Sequence, residues 1–331
     1  MYYKYNISEK VNLDLTLYSG QIFSFKKIGD VHIGVIRGIL FYLRDKITES
    51  ELKDITIVNE TENNSEYKYN LYFKYDCENL TPHSAISILS DFFTLDIDYA
   101  KLKEVWSLSN IYNFSNNLNG LRLLRLDLTE TIFSFICSAN NTVKRITGMV
   151  EYLLSKGEFI KEIDGNKFYK FPTVFKLSEI EEDELRNKKF GYRAKYIVQT
   201  AKKLYKVITE KHKENNTSYQ HNDNIKELNF LRKLSYDHAL KYLISLHGIG
   251  RKVADCICLM GLYHYDAVPI DVHIFRKSKE IFKNVSDTEN IKNLNKSNYN
   301  KIVELYNKYF IEKIGIAQLF IFYDSMANNK K

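Results

Sequence analysis

The chain has 331 residues, 44% of them hydrophobic and 14% aromatic, and carries a formal net charge of +7. That length allows about two domains with a sizeable core, and the apolar content excludes a disordered chain. No apolar run approaches the roughly 18 residues of a membrane span, and the opening MYYKYNISEK lacks the apolar stretch of a signal peptide. The positive balance fits a polyanionic partner and a merely lysine-rich surface equally well. Four scattered cysteines, Cys77, Cys137, Cys256 and Cys258, suit a reducing compartment rather than a disulfide framework. With no CxxC pair and no zinc or iron–sulfur spacing, no metal site is expected.

In chain order, "LDLTLYSGQIFSF" (13–25), "HIGVIRGILFYLR" (32–44) and "YKYNLYFKYD" (67–76) are rich in β-branched and aromatic residues and read as strands. Gly29-Asp30 and the polar 59–68 stretch read as turns between them, so the sheet should be antiparallel and built from hairpins. From Thr81 the period changes to that of helices. Thr81 is the expected N-cap with Pro82 at the first helical position, and "DYAKLKEVWSL" follows as a second helix.

From about 119 onward the pattern is helical: "LTETIFSFICSANN", "NTVKRITGMVEYLLSKG" ending at Gly157, and the basic "RAKYIVQTAKKLYKVITEK". Ser235 is the expected cap of a later helix. Polar stretches at 212–224 and 286–298 read as connections. The architecture is therefore α+β, with a sheet domain and flanking helices over 1–118 and a helical domain over 119–331.

"LHGIGRKVADCICLMG" (246–261) reads as a glycine hairpin opening a helix, with Gly248 and Gly250 expected at positive φ. Free amides of such a hairpin, and the positive end of the helix behind it, suit a nucleic-acid phosphate. Glycine used only for packing explains the pattern equally well. Lys252 falls in the first helical turn, where the macrodipole disfavours a cation. In "AVPIDVHIF" (267–275), Asp271 precedes another apolar helix; its plain role is an N-cap. If the two helix starts converge on one cleft, an amine that gives up its proton readily faces a carboxylate. That pair suits displacement at a sugar C1′, with the lysine as nucleophile and the aspartate stabilising an oxocarbenium-like transition state.

With these residues in place, "LHGIGRKVADCICLMGLYHYDAVPIDVH" resembles the helix-hairpin-helix, aspartate-ending signature of base-excision DNA glycosylases, and within them the 8-oxoguanine DNA glycosylases. "LYSGQIFSF", "LRLLRLD", "FSFICSANNTVKRITGMVEYL", "FGYRAKY" and "GIAQLFIFYD" extend the resemblance over most of the chain in the same order. It implies a TATA-binding-protein-like antiparallel sheet domain followed by an all-helical domain, with the helix-hairpin-helix at about 236–261 and the active site between domains.

The resemblance makes Lys252 the nucleophile and Asp271 the catalytic aspartate. It makes Cys256 and Phe322 the residues that sandwich the flipped base, and Gln318 the reader of its Watson–Crick edge. Gly20 matches the residue whose carbonyl accepts from N7–H of the oxidised base; guanine has a lone pair there. Asn140, Arg145 and Arg193 match contacts to the estranged cytosine, and Tyr192 a wedge in the stack. Gly248, Gly250 and His273 match backbone contacts. Thr142 departs from the eukaryotic pattern, which has a third asparagine there.

The implied function is a bifunctional 8-oxoguanine DNA glycosylase and AP lyase. It is expected to act on double-stranded DNA as a monomer, with no cofactor and no membrane association, in the nucleus of a eukaryote or the cytoplasm of a bacterium. The alternatives are another glycosylase specificity and a helix-hairpin-helix module without chemistry. The Lys252–Asp271 pair argues against the second of these.

Overall fold

In the computed structural model, residues 1–48, 53, 55–58, 68–214, 227–286, 288 and 291–328 are described. The N-terminal sheet has six strands: β1 (Tyr2–Ile7), β2 (Lys26–Ile28), β3 (Val31–Ile36), β4 (Ile39–Arg44), β5 (Ile55–Ile57) and β6 (Tyr69–Asp76), in the order β2-β3-β4-β6-β1-β5. The turn expected at Gly29-Asp30 forms, and a second one divides the segment 32–44, which the sequence reads as one strand. Gly29 (φ 60°) turns β2 into β3, and Arg37 (φ 50°) with Gly38 (φ 75°) makes the two-residue turn between β3 and β4. Positive φ at both turn residues matches the twist of the flanking strands.

Two further expectations differ from the structure. Residues 13–25 are not a strand: Leu13–Leu17 forms a short helix, α1, because Asn12 caps it by accepting from the Leu15 amide, and Leu13, Thr16 and Leu17 bury one helical face. The sheet is not wholly antiparallel, because β1 pairs with β5 in parallel. β1 itself lies in the opening segment that the sequence left unassigned. The 59–67 part of the expected turn lies outside the described residues.

Helices α2 (Pro82–Phe92) and α3 (Tyr99–Ser107) follow. Thr81 caps the first with Pro82 at its start, and Asp98 caps the second. Then come α4 (Leu128–Ser138) and α5 (Val143–Leu154). The region beyond 119 is not purely helical: β7 (Phe159–Ile163) and β8 (Asn166–Tyr169) form a hairpin through Asp164-Gly165, both at positive φ. Phe168 of that hairpin packs against Ile33, Leu40 and Tyr42 on the sheet, burial that overrides the local sequence signal.

The remaining helices are α6 (Val174–Ser178), α7 (Glu182–Asn187), α8 (Arg193–Glu214), α9 (Tyr236–Ile244), α10 (Arg251–Met260), α11 (Val272–Phe282), α12 (Lys296–Phe310) and α13 (Ile314–Asn328). Ser235 precedes α9 as expected, but its hydroxyl meets His238 Nδ1 at 2.7 Å rather than a helix amide.

A single hydrophobic cluster runs from the sheet into the helices, with Trp106, Phe41, Phe73, Phe133 and Phe320 fully enclosed. Two arginines fasten the halves together. Arg122, 1% exposed, donates to the carbonyls of Phe93, Thr94 and Ile97 and pairs with Glu9. Arg37, at the tip of the β3–β4 turn, reaches Asp91, Asp127, the Arg125 carbonyl and the Tyr263 hydroxyl. These bonds set the sheet domain against α4 and α10 and so fix one wall of the cleft between them.

Candidate active site

The hairpin between α9 and α10 is built as a rigid turn. Gly248 has φ +79°, and a Cβ there would lie 2.5 Å from the Tyr196 ring, so only glycine fits. Gly250 differs from expectation: its φ is −86° in the extended region, and it serves as N-cap of α10. Thr200 and Lys203 of α8 hold the turn by donating to the carbonyls of His247 and Ser245. No side chain caps α10, so the amides of its first turn face outward from the hairpin without intrahelical partners.

Lys252 is the second residue of α10, half-buried, with its amine 5.6 Å from the centre of the Phe135 ring. Asp271 is the N-cap of α11; one carboxylate oxygen accepts from the amides of His273 (2.9 Å) and Ile274 (2.8 Å). The plain capping role and the converging geometry therefore both hold. Lys252, Asp271, Gly20, Cys256, Gln318 and Phe322 line one cavity of about 710 Å³. A volume of that size lies within the ordinary range of small-molecule pockets, roughly 300–1,000 Å³. Cys256 lies one turn after Lys252; burial pushes its thiol up, opposed by the neighbouring amine. Gln318 and Phe322 share a face of α13, four residues apart.

Gly20 has φ +85°, in the loop after α1. Its position depends on Gln21, a neighbour that carries no functional signal in the sequence alone. Gln21, 3% exposed, donates from Nε2 to Ser19 Oγ and the Arg122 carbonyl, and its Oε1 accepts from the Leu124 amide, all at 2.9 Å. The side-chain amide thus continues the backbone pairing between this loop and residues 122–124. Tyr18 and Tyr323 stand at the same cavity and were also missed. The Tyr18 hydroxyl meets His32 Nδ1 at 3.2 Å, and burial with nearby Asp14 pushes it up to about 12.

The four residues matched to the opposite strand gather at the loop between α4 and α5, apart from the cavity lining. Asn140 is exposed with φ 47°, and its neighbour Asn141, rather than Asn140, reaches the cavity. Arg193 is 3% exposed, and its guanidinium donates to the carbonyls of Ala139 and Asn140. Tyr192, 46% exposed, donates to Ala139 as well and stacks under Arg193. Arg145 is exposed, and its guanidinium donates to the Lys189 carbonyl at a long 3.4 Å. The two arginines are therefore unlike: Arg193 shapes the loop, and Arg145 extends from it. His273 is exposed at the start of α11.

A family model described as the 8-oxoguanine DNA glycosylase N-terminal domain matches residues 4–132, and one described as the HhH-GPD superfamily of base excision DNA repair proteins matches residues 133–301. The chain belongs to the 8-oxoguanine glycosylase family of the helix-hairpin-helix-GPD superfamily. The N-glycosylase/DNA lyase of Saccharomyces cerevisiae is 35% identical over 263 residues, covering 78% of this chain and 66% of that protein's length. N-glycosylase/DNA lyase OGG1 of Arabidopsis thaliana is 29% identical over 97% of this chain and 79% of its own. A solved structure of MBOgg1 in complex with a low-affinity DNA ligand superposes with a TM-score of 0.73 at 25% identity, covering 98% of this chain and 96% of that one. The fold is also that of the Clostridium acetobutylicum 8-oxoguanine glycosylase/lyase, solved with DNA containing cytosine opposite 8-oxoG (TM-score 0.68, 23% identity, 97% and 93% covered).

Proposed function

We propose that this chain excises 8-oxoguanine from duplex DNA and cleaves the strand at the resulting site, with Lys252 as nucleophile. The observation that carries the reading is that Lys252 and Asp271, from two different helix starts, line the same cavity as Gly20, Cys256, Gln318 and Phe322. The reacting base must leave the stack to reach such a cavity. Cys256 and Phe322 would then flank its faces and Gln318 its Watson–Crick edge. The outward amides of the α9–α10 hairpin suit a backbone phosphate, and His273 stands exposed beside Asp271.

The chemistry uses only these side chains and the DNA. The neutral amine of Lys252 forms a bond to C1′ as the C1′–N9 bond breaks, and the electron pair leaves with the base, which takes up a proton. The Asp271 carboxylate stabilises the positive charge that develops on the sugar. Loss of the amine proton and opening of the ring at O4′ give a protonated Schiff base. Removal of a C2′ proton then expels the 3′ phosphate, and water releases Lys252 from the cleaved strand.

Single-turnover excision on duplexes carrying 8-oxoguanine opposite each of the four bases tests the reading. Excision and nicking with cytosine opposite support it. Activity confined to alkylated bases or to mismatched adenine would transfer the chain to another glycosylase specificity.

A further inference from the structure

Within that proposed reaction, we infer that Tyr299 is a positioning residue: its hydroxyl sets the segment carrying Asp271 against the helix carrying Lys252. Tyr299 lies on α12, is 5% exposed, and among the described residues its hydroxyl bonds to neither side chain of the pair. Its hydroxyl oxygen instead meets three groups at once. It accepts from the Ile270 amide at 2.9 Å, lies 2.9 Å from the Val268 carbonyl, and lies 2.6 Å from Asp255 Oδ2. A phenol has one proton and can accept through its lone pairs. The shorter contact, to a carboxylate, takes the proton preferentially.

The two sides of this bridge are the two halves of the proposed catalytic pair. Ile270 directly precedes Asp271, and Val268 lies three residues before it. Asp255 is on α10, three residues after Lys252 and so on the adjoining turn. Asp255 is fully enclosed, a costly place for a carboxyl and a poor choice for a helix interior unless it holds something. Besides Tyr299 it accepts from Tyr236 Oη (2.6 Å) and Arg251 Nε (2.9 Å), which fix it to α9 and to its own helix. Only the Tyr299 bond runs on to the chain leading into Asp271. Without it, Val268–Ile270 would keep its apolar burial but lose the polar tie that sets its distance from α10. A displacement of about 1 Å between reacting groups can cost on the order of a hundredfold in rate.

Two hydroxyl deletions separate positioning from stability. Tyr299→Phe and Tyr236→Phe each remove one donor from the same carboxylate and keep the ring, but only the first cuts the tie to Asp271. At a temperature where both are folded, Tyr299→Phe should lower single-turnover excision about ten- to a hundredfold with the dissociation constant for lesion DNA nearly unchanged. Tyr236→Phe should lose comparable melting temperature and keep a near-normal rate. Asp255→Asn weakens the same bond from its other end and should reproduce the rate loss, an independent arm should Tyr299→Phe not fold. A normal rate in Tyr299→Phe, or equal rate losses in both tyrosine variants, overturns the inference. The inference rests on the proposed glycosylase reaction, and the wild-type arm keeps the two apart. An inactive wild-type protein contradicts the reaction, whereas an active wild type with an equally active Tyr299→Phe contradicts only the role of Tyr299.

Discussion

Lys252 and Asp271 stand at the starts of two different helices, Lys252 in the second position of α10 and Asp271 at the N-cap of α11, and both line one cavity. Helix starts carry partial positive charge, which favours the aspartate and disfavours the lysine. The carboxylate is stabilised where it stands, while the amine meets the unfavourable end of the dipole, offset in part by the face of the Phe135 ring 5.6 Å away. A lysine at a helix start that opens onto a cavity is accounted for by the proposed chemistry, since the dipole gives it no reason to be there.

The capping and catalytic roles of Asp271 separate by substitution. Asparagine caps a helix about as well as aspartate, within a few tenths of a kcal/mol. Asp271→Asn should therefore keep its melting temperature nearly unchanged while excision falls by orders of magnitude, because the charge is lost. Calorimetry beside single-turnover kinetics decides it. Lost stability with near-normal turnover would leave only the cap.

The estranged cytosine offers O2 and N3 as acceptors, where adenine sets an amino donor beside N1. Arg145 is the exposed arginine at this loop, so Arg145→Met should flatten a preference for cytosine over adenine opposite the lesion more than it slows excision opposite cytosine. Arg193 is buried on two carbonyls, and Arg193→Met leaves those acceptors without donors, a cost of about 1–3 kcal/mol. Its melting temperature should fall, and excision opposite both bases should fall together. Excision rates on the two duplexes, with a melting curve for each variant, separate the roles. Equal wild-type rates opposite cytosine and adenine would remove the cytosine assignment.

Much of this site was legible because its residues belong to short contiguous motifs: the glycine hairpin with Lys252, the Asp271 cap, and Gln318 with Phe322 at one helical turn. What escaped depends on long-range pairing. Residues 13–25 carry β-branched and aromatic side chains, yet Asn12 and the burial of Leu13 and Leu17 make a helix start there. The β7–β8 hairpin forms because Phe168 finds the sheet, an event far away in sequence. Gln21, Asp255 and Tyr299 are ordinary letters until their partners, 101, 44 and 31 residues away, are known. The two opposite-strand arginines looked equivalent in sequence, and only burial told them apart.

A buried acid outside the catalytic cavity gives a pH test of the fold. Glu130 on α4 is enclosed beside Ser24, and burial pushes its carboxyl up to about 7 from 4.5. The folded protein therefore holds this proton more tightly than the unfolded chain. That contribution is complete below pH 4.5 and is lost as pH rises through 7, in total on the order of 3 kcal/mol. Glu130→Gln cannot ionise, so its melting temperature relative to wild type should rise between pH 5 and pH 8. A constant difference across that range would mean that Glu130 titrates normally.

In the proposed reaction the Lys252 amine bonds to the sugar. Borohydride reduces a Schiff base to a stable amine, so wild-type protein incubated with an 8-oxoguanine–cytosine duplex and borohydride should yield a covalent protein–DNA species. Lys252→Gln should yield neither that species nor base excision, while binding the lesion duplex with nearly unchanged affinity. Undiminished excision or trapping by Lys252→Gln would contradict the account and move the nucleophile elsewhere.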